Sequence, residues 1–87
     1  MSLTERTLRA QKKALNGAHN KRFEQGNKEY IIKYEGGISE FVGVYGRRKG
    51  STKAFRYVTG FEGFRAKSTD EIIEQAKEKV MLKSLGF

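Results

Sequence analysis

The chain has no cysteine, no proline, no tryptophan and a single histidine. Without cysteine there can be neither disulfides nor thiolate metal sites, which disfavours a small secreted fold held by covalent staples and favours a cytoplasmic one. His19 has no clustered carboxylates around it, so no metal site has recognisable ligand spacing and no histidine-dependent triad has a signalled nucleophile; it reads as a linker residue. Phosphate loops of the GxxxxGKS/T and GxGxxG types are missing. No apolar run reaches the ~18–20 residues of a membrane span, and the N-terminus is polar, without the apolar core of a signal peptide. Glu35, Glu40 and Glu62 suit pairing with Lys or Arg across a sheet, and nothing marks a general acid/base couple. The expectation is a soluble, non-enzymatic protein without metal or cofactor.

What the chain does have is positive charge, +8 net over 87 residues, and that charge is unevenly placed. Residues 1–27 carry six Lys/Arg against two Glu, residues 28–67 nine against four, and residues 68–87 three against four acids. A field of one sign over part of a surface concentrates polyanions, chiefly nucleic acid or anionic lipid. At this length one domain is expected, hiding only about 60–65% of the unfolded chain's surface, with apolar material for one sheet and one or two helices.

Taken in order, Ser2-Leu-Thr-Glu5 has capping-box spacing and predicts a helix. Leu3, Thr4, Thr7, Leu8, Gln11, Ala14, Leu15 and Ala18 share its uncharged side, with Arg6, Arg9, Lys12 and Lys13 opposite. So thin an apolar side suits weak docking or folding on a partner, and is too weak for a membrane anchor. Asn16-Gly17 reads as its stop, and the residues up to Asn27 as linker, giving a segment 1–27 ahead of a compact 28–87.

Glu29–Glu35 reads as a strand, Gly36-Gly37 as a two-residue hairpin, and Ile38–Tyr45 as the return strand. Next come a turn, Gly46–Thr52, and a third strand, Lys53–Thr59, interrupted at Gly60-Phe-Glu-Gly63; Phe64-Arg-Ala66 forms a fourth short strand or extends the third past a bulge. Ser68-Thr-Asp-Glu71 again has capping-box spacing, and Ile72, Ile73, Ala76 and Val80 form the stripe of a helix that packs on a sheet. Met81, Leu82 and Leu85 drift off that stripe toward a second surface, such as the first helix, and Gly86 with Phe87 suits a Schellman cap on Leu82. The expected fold is α+β in the order α-β-β-β-α, a three- or four-stranded antiparallel sheet. Val42, Val44, Val58 and Ile31 would face the C-terminal helix.

The strand Phe41–Tyr45 runs directly into Gly46-Arg-Arg-Lys-Gly50, delivering three cations into a turn. Arg47, Arg48, Lys49, Lys53, Arg56 and Arg65, interleaved with Phe41, Tyr45, Phe55 and Tyr57, form the candidate nucleic-acid surface, and Arg6, Arg9, Lys12 and Lys13 add phosphate contacts. Cations release counterions from phosphates, while a sheet in a groove or aromatics on bases supply the remaining contacts. Gly43-Val-Tyr-Gly46 has the GxxG spacing of KH loops, but lies in a strand pattern rather than between helices.

Val42-Gly-Val-Tyr-Gly-Arg-Arg48, Lys53-Ala-Phe-Arg56 and Gly63-Phe-Arg-Ala-Lys-Ser-Thr-Asp-Glu-Ile-Ile73 together resemble AP2-type DNA-binding domains and the arm-binding domains of tyrosine integrases. That resemblance covers about half the chain and implies a three-stranded sheet in the major groove of duplex DNA, one helix behind it, and DNA contacts from Arg47, Arg48, Arg56 and Arg65. The element order is also similar to double-stranded RNA-binding domains, whose last helix opens on lysines; here Ser68-Thr-Asp-Glu71 is acidic, so DNA is favoured over RNA. The alternative is an interaction protein: a small, basic, cysteine-free chain is similar to phage-encoded inhibitors that bind an acidic surface of a host enzyme, and Tyr and Arg dominate such interfaces.

Overall fold

The computed structural model describes residues 3–63 and 66–86, with the side chains of the first helix described from Leu8 onward. Helix α1 (Leu3–Ala18) precedes four strands, β1 (Arg22–Gln25), β2 (Lys28–Gly36), β3 (Phe41–Arg48) and β4 (Arg56–Glu62), and α2 (Thr69–Ser84) closes the chain. The strands form one antiparallel sheet in sequence order. This is the expected α+β class, with four strands, one more than in the order α-β-β-β-α.

The additional strand is β1, in the segment read as linker. Gly26 adopts φ 64° and lets Gln25 and Lys28 pair directly across a two-residue turn. Of the β1 residues only Phe23 is buried, stacked on Tyr30 with ring centroids 5.1 Å apart. A single inward apolar residue leaves almost no period-2 signal, which is why the strand escapes a pattern reading. The connection from α1 prolongs the ladder, with the Asn20 N–H donating to the Ile32 carbonyl and the Ile32 N–H donating to that of Lys21. His19 is part of this seam, its Nδ1 accepting from the Tyr34 N–H at 2.9 Å.

Both helices lie on one face of the sheet. Tyr30, Ile32, Val42, Val44 and Phe61 form a single cluster with Ala14, Leu15 and Ala18 of α1 and Ile72, Ala76 and Val80 of α2, with Val58 packed at its margin. Ile31 is a correction: alternation places it on the opposite face, paired with Tyr45, while Tyr30 and Ile32 point to the helices. The stripe Ile72, Ala76 and Val80 is buried as its periodicity requires. Ser68 caps α2 by accepting from the Glu71 N–H, whereas the Glu71 carboxylate accepts from Lys67 rather than from Ser68.

Other boundaries shift for identifiable reasons. Gly17 does not stop α1 but lies inside it, where α2 passes so close that a Cβ would sit 2.4 Å from Thr69 Oγ1, which itself donates to the Ala14 carbonyl. The two helices therefore meet at the first turn of α2, and Met81 in its last turns and Leu85 at its C-cap stay exposed instead of finding a second surface. Leu8 on α1 is exposed as well. The β2–β3 connection is the four residues Gly37–Glu40 rather than two, with Ile38 fully exposed. Strand β4 begins three residues later than expected and runs through Gly60 instead of being interrupted there; the Phe41 ring lies over that glycine. The Ser2 cap, Phe64, Arg65 and the Phe87 contact lie outside the described residues.

Because Leu15 is completely buried, α1 is a docked element and not a helix awaiting a partner. Leu15→Ala is expected to cost about 2–5 kcal/mol in urea unfolding, through lost burial and a cavity. An unchanged midpoint would mean that α1 is undocked in solution.

Candidate functional site

Alternation places Arg22, Ile31, Lys33, Glu35, Tyr45, Arg47 and Tyr57 on the face of the sheet that no helix covers. Ile31 is nevertheless buried at 6% exposure. Its register neighbours are Arg22 and Tyr45, and Phe55 from the β3–β4 loop shares the hollow around it. Tyr45 donates its hydroxyl proton to Glu35 and meets the Tyr57 ring edge-on at 5.6 Å. That bond to Glu35, reinforced by burial, holds the Tyr45 phenol above its ordinary value. Tyr57 itself is more than half exposed.

The loop between β3 and β4 is drawn back over this open face. The Arg47 side chain rises from β3 opposite Glu29 and forms an ion pair with it through Nε. Its Nη1 donates to the Lys53 carbonyl at 3.0 Å, and its guanidinium carbon stands 4.1 Å from the centre of the Phe55 ring. Arg22 reaches the same ring at 5.3 Å. Phe55 is held over the sheet rather than in the ladder, so β4 cannot start at Lys53.

Around this anchor the loop forms a concavity of about 650 Å³ lined by Arg47, Arg48, Lys49, Lys53 and Arg56, with no carboxylate in its wall. Arg47 is spent on Glu29, and Lys49 pairs with Glu24 at 2.9 Å in an exposed bridge. Among the described residues no carboxylate lies within salt-bridge distance of Arg48, Lys53 or Arg56. Of the candidate contacts, the structure thus groups the five loop cations with Tyr45, Phe55 and Tyr57. Arg65 lies outside the described residues.

The basic side of α1 is elsewhere. Lys12 donates to the Tyr34 hydroxyl oxygen at 2.6 Å and to Glu40 Oε2 at 3.0 Å, while Tyr34 donates to the same carboxylate oxygen. Glu40 precedes β3 and the cationic loop follows it, so the strand separates the two by roughly 23 Å. Arg9 and Lys13 are exposed on this helix, on the covered side of the sheet, and the Arg6 side chain is outside the described residues. Arg9, Lys12 and Lys13 thus lie apart from the loop, because α1 packs its apolar residues against the covered side of the sheet. Sequence reasoning missed Glu29 and Arg22; the only available signal for Glu29 was an acid and a base on neighbouring strands whose pairing requires the β2–β3 register, and Arg22 is placed only by the register of β1.

The fold and site define a small two-layer α+β domain with an uncovered sheet face and an arginine-anchored cationic loop. Comparison with protein-family models, with curated proteins and with solved structures returns no match.

Hydrogen bonding from Tyr34 first, and from Lys12 second, holds the Glu40 carboxyl below its ordinary 4.5; the same contacts hold the Lys12 ammonium above 10.5. A depressed acid stabilises above its unfolded pKa and loses that contribution as pH falls through the folded one; a raised base stabilises below its unfolded pKa and loses it as pH rises through the folded one. NMR titration should therefore give a Glu40 midpoint below 4.5 and a Lys12 midpoint above 10.5. Tyr34→Phe should move both back toward those values.

Proposed function

We propose that the chain is a non-enzymatic nucleic-acid-binding module that grips duplex DNA through the β3–β4 loop and the adjoining open face. The observation that carries this reading is the loop concavity, where Arg48, Lys53 and Arg56 converge without a salt-bridge partner among the described residues. Neutralising phosphates releases counterions, and such a cluster is the electrostatic footprint of polyanion binding. The acids near the site support binding over chemistry, since Glu24, Glu29 and Glu35 are each engaged by a Lys, Arg or Tyr partner.

Geometry narrows the mode of approach. Four strands at ~4.8 Å spacing span roughly 14 Å before side chains, wider than the ~12 Å major groove, whereas a two-stranded ribbon fits. The β3–β4 hairpin with its loop is therefore the inserting element, and it carries the exposed Tyr57 with Tyr45 opposite it. The exposed Tyr57, with the half-buried Tyr45 beside it and arginines nearby, favours a second reading, a protein interface against an acidic partner, whose affinity would respond only weakly to salt.

Fluorescence-anisotropy titration with duplex DNA, single-stranded DNA and duplex RNA at two salt concentrations separates these readings. The expected result is tightest binding to duplex DNA, with a log K against log salt slope that flattens by roughly three units in the Arg48→Ala/Lys53→Ala/Arg56→Ala variant. Binding only near ~10⁻⁴ M, equal across all three probes and lost at physiological salt, would reject the module.

A further inference from the structure

We propose that Arg47 is the positioning residue of a phosphodiester cradle in the β3–β4 loop, and that Glu29 is its partner in that role rather than an obstacle to anion binding. The inference rests on the nucleic-acid reading above and divides its cations into two kinds. Arg48, Lys53 and Arg56 meet phosphate; Arg47 shapes the loop that presents them.

A guanidinium offers a rigid fork of five N–H donors and a flat face. In Arg47 the fork is directed to Glu29 and to the Lys53 carbonyl, and the face lies over Phe55. Its side chain is only 22% exposed, against 51% for Lys49 two residues further on. A phosphate approaching Arg47 would have to displace Glu29, and the ion pair as a unit carries no net charge with which to release counterions.

The rest of the loop is fastened in the same sense. The Lys49 N–H donates to the Asn27 carbonyl at 3.0 Å, the Ser51 N–H to the Arg48 carbonyl at 3.0 Å, and the Lys53 N–H to Ser51 Oγ at 3.0 Å. Arg47 closes this series by tying the Lys53 carbonyl and the Phe55 ring down to β2 and β3. Ordering the loop in the free protein removes an entropy cost that each flexible cation would otherwise pay on binding.

Glu29→Gln distinguishes positioning from bare electrostatics. Removing an acid beside a polyanion site should tighten binding if charge alone matters; if Glu29 holds Arg47, binding should weaken. The expected result for a short DNA duplex is a loss of about 3–10-fold, as for one charge-assisted or cation–π contact, with the salt slope close to wild type. Arg47→Lys, which keeps the charge but not the fork, should behave alike, whereas Arg48→Ala should flatten the slope by about 0.9 unit. In the free variants, ¹⁵N order parameters should fall over residues 49–54 while the thermal midpoint stays close to wild type. Tighter binding by Glu29→Gln, or wild-type affinity in Arg47→Lys with a slope flattened by about one unit in Arg47→Ala, would overturn the assignment and make Arg47 itself a phosphate contact. A wild-type protein that binds none of the probes would instead reject the nucleic-acid reading.

Discussion

Both helices pack on the same face of the sheet, and the character of the other face follows from its having no cover. A sheet face of four strands carries residues that an uncovered surface must either solvate or shield with its own side chains. Here Ile31 lies near the middle of that face and is almost fully buried, with Arg22 and Tyr45 beside it in the register and Phe55 arriving from the loop. The loop folds back because there is an apolar residue to shield and an arginine to hold the shielding ring. The same fold-back gathers five cations around one hollow.

Electrostatics then sort those cations by strand register. Glu24 and Glu29 are opposite each other on β1 and β2, and Glu29 is opposite Arg47 on β3. That row draws Arg47 and Lys49 into pairs, and among the described residues leaves Arg48, Lys53 and Arg56, which line the same concavity, without a salt bridge. A comparable division occurs at the far end of β3, where Lys12 is committed to Glu40 and Tyr34 and so serves to fasten α1. Net positive charge is thus a poor guide to which cations are available; two of the most conspicuous, Arg47 and Lys12, act inside the molecule.

Legibility in the sequence followed the strength of the local pattern. Helix α2, with its cap at Ser68 and a stripe of Ile72, Ala76 and Val80, carries its signal in consecutive turns and folds as that signal requires. Strands β2 and β3 are rich in β-branched and aromatic residues and were equally plain. Strand β1 has one inward residue and could be recognised only by its partner. The face of Ile31 depended on register, which a single residue reverses.

The sequence by itself determined the α+β class, the two helices, the central hairpin and the concentration of positive charge after Tyr45, because each of these is written in residues close together in the chain. Only the tertiary structure decided that α1 docks behind the sheet, that α2 meets it at Gly17, and that Arg47 is bound to Glu29 eighteen residues away. Those outcomes depend on which strands become neighbours and in what register. That choice is made by the collective burial of one sheet face, not by any local run of residues.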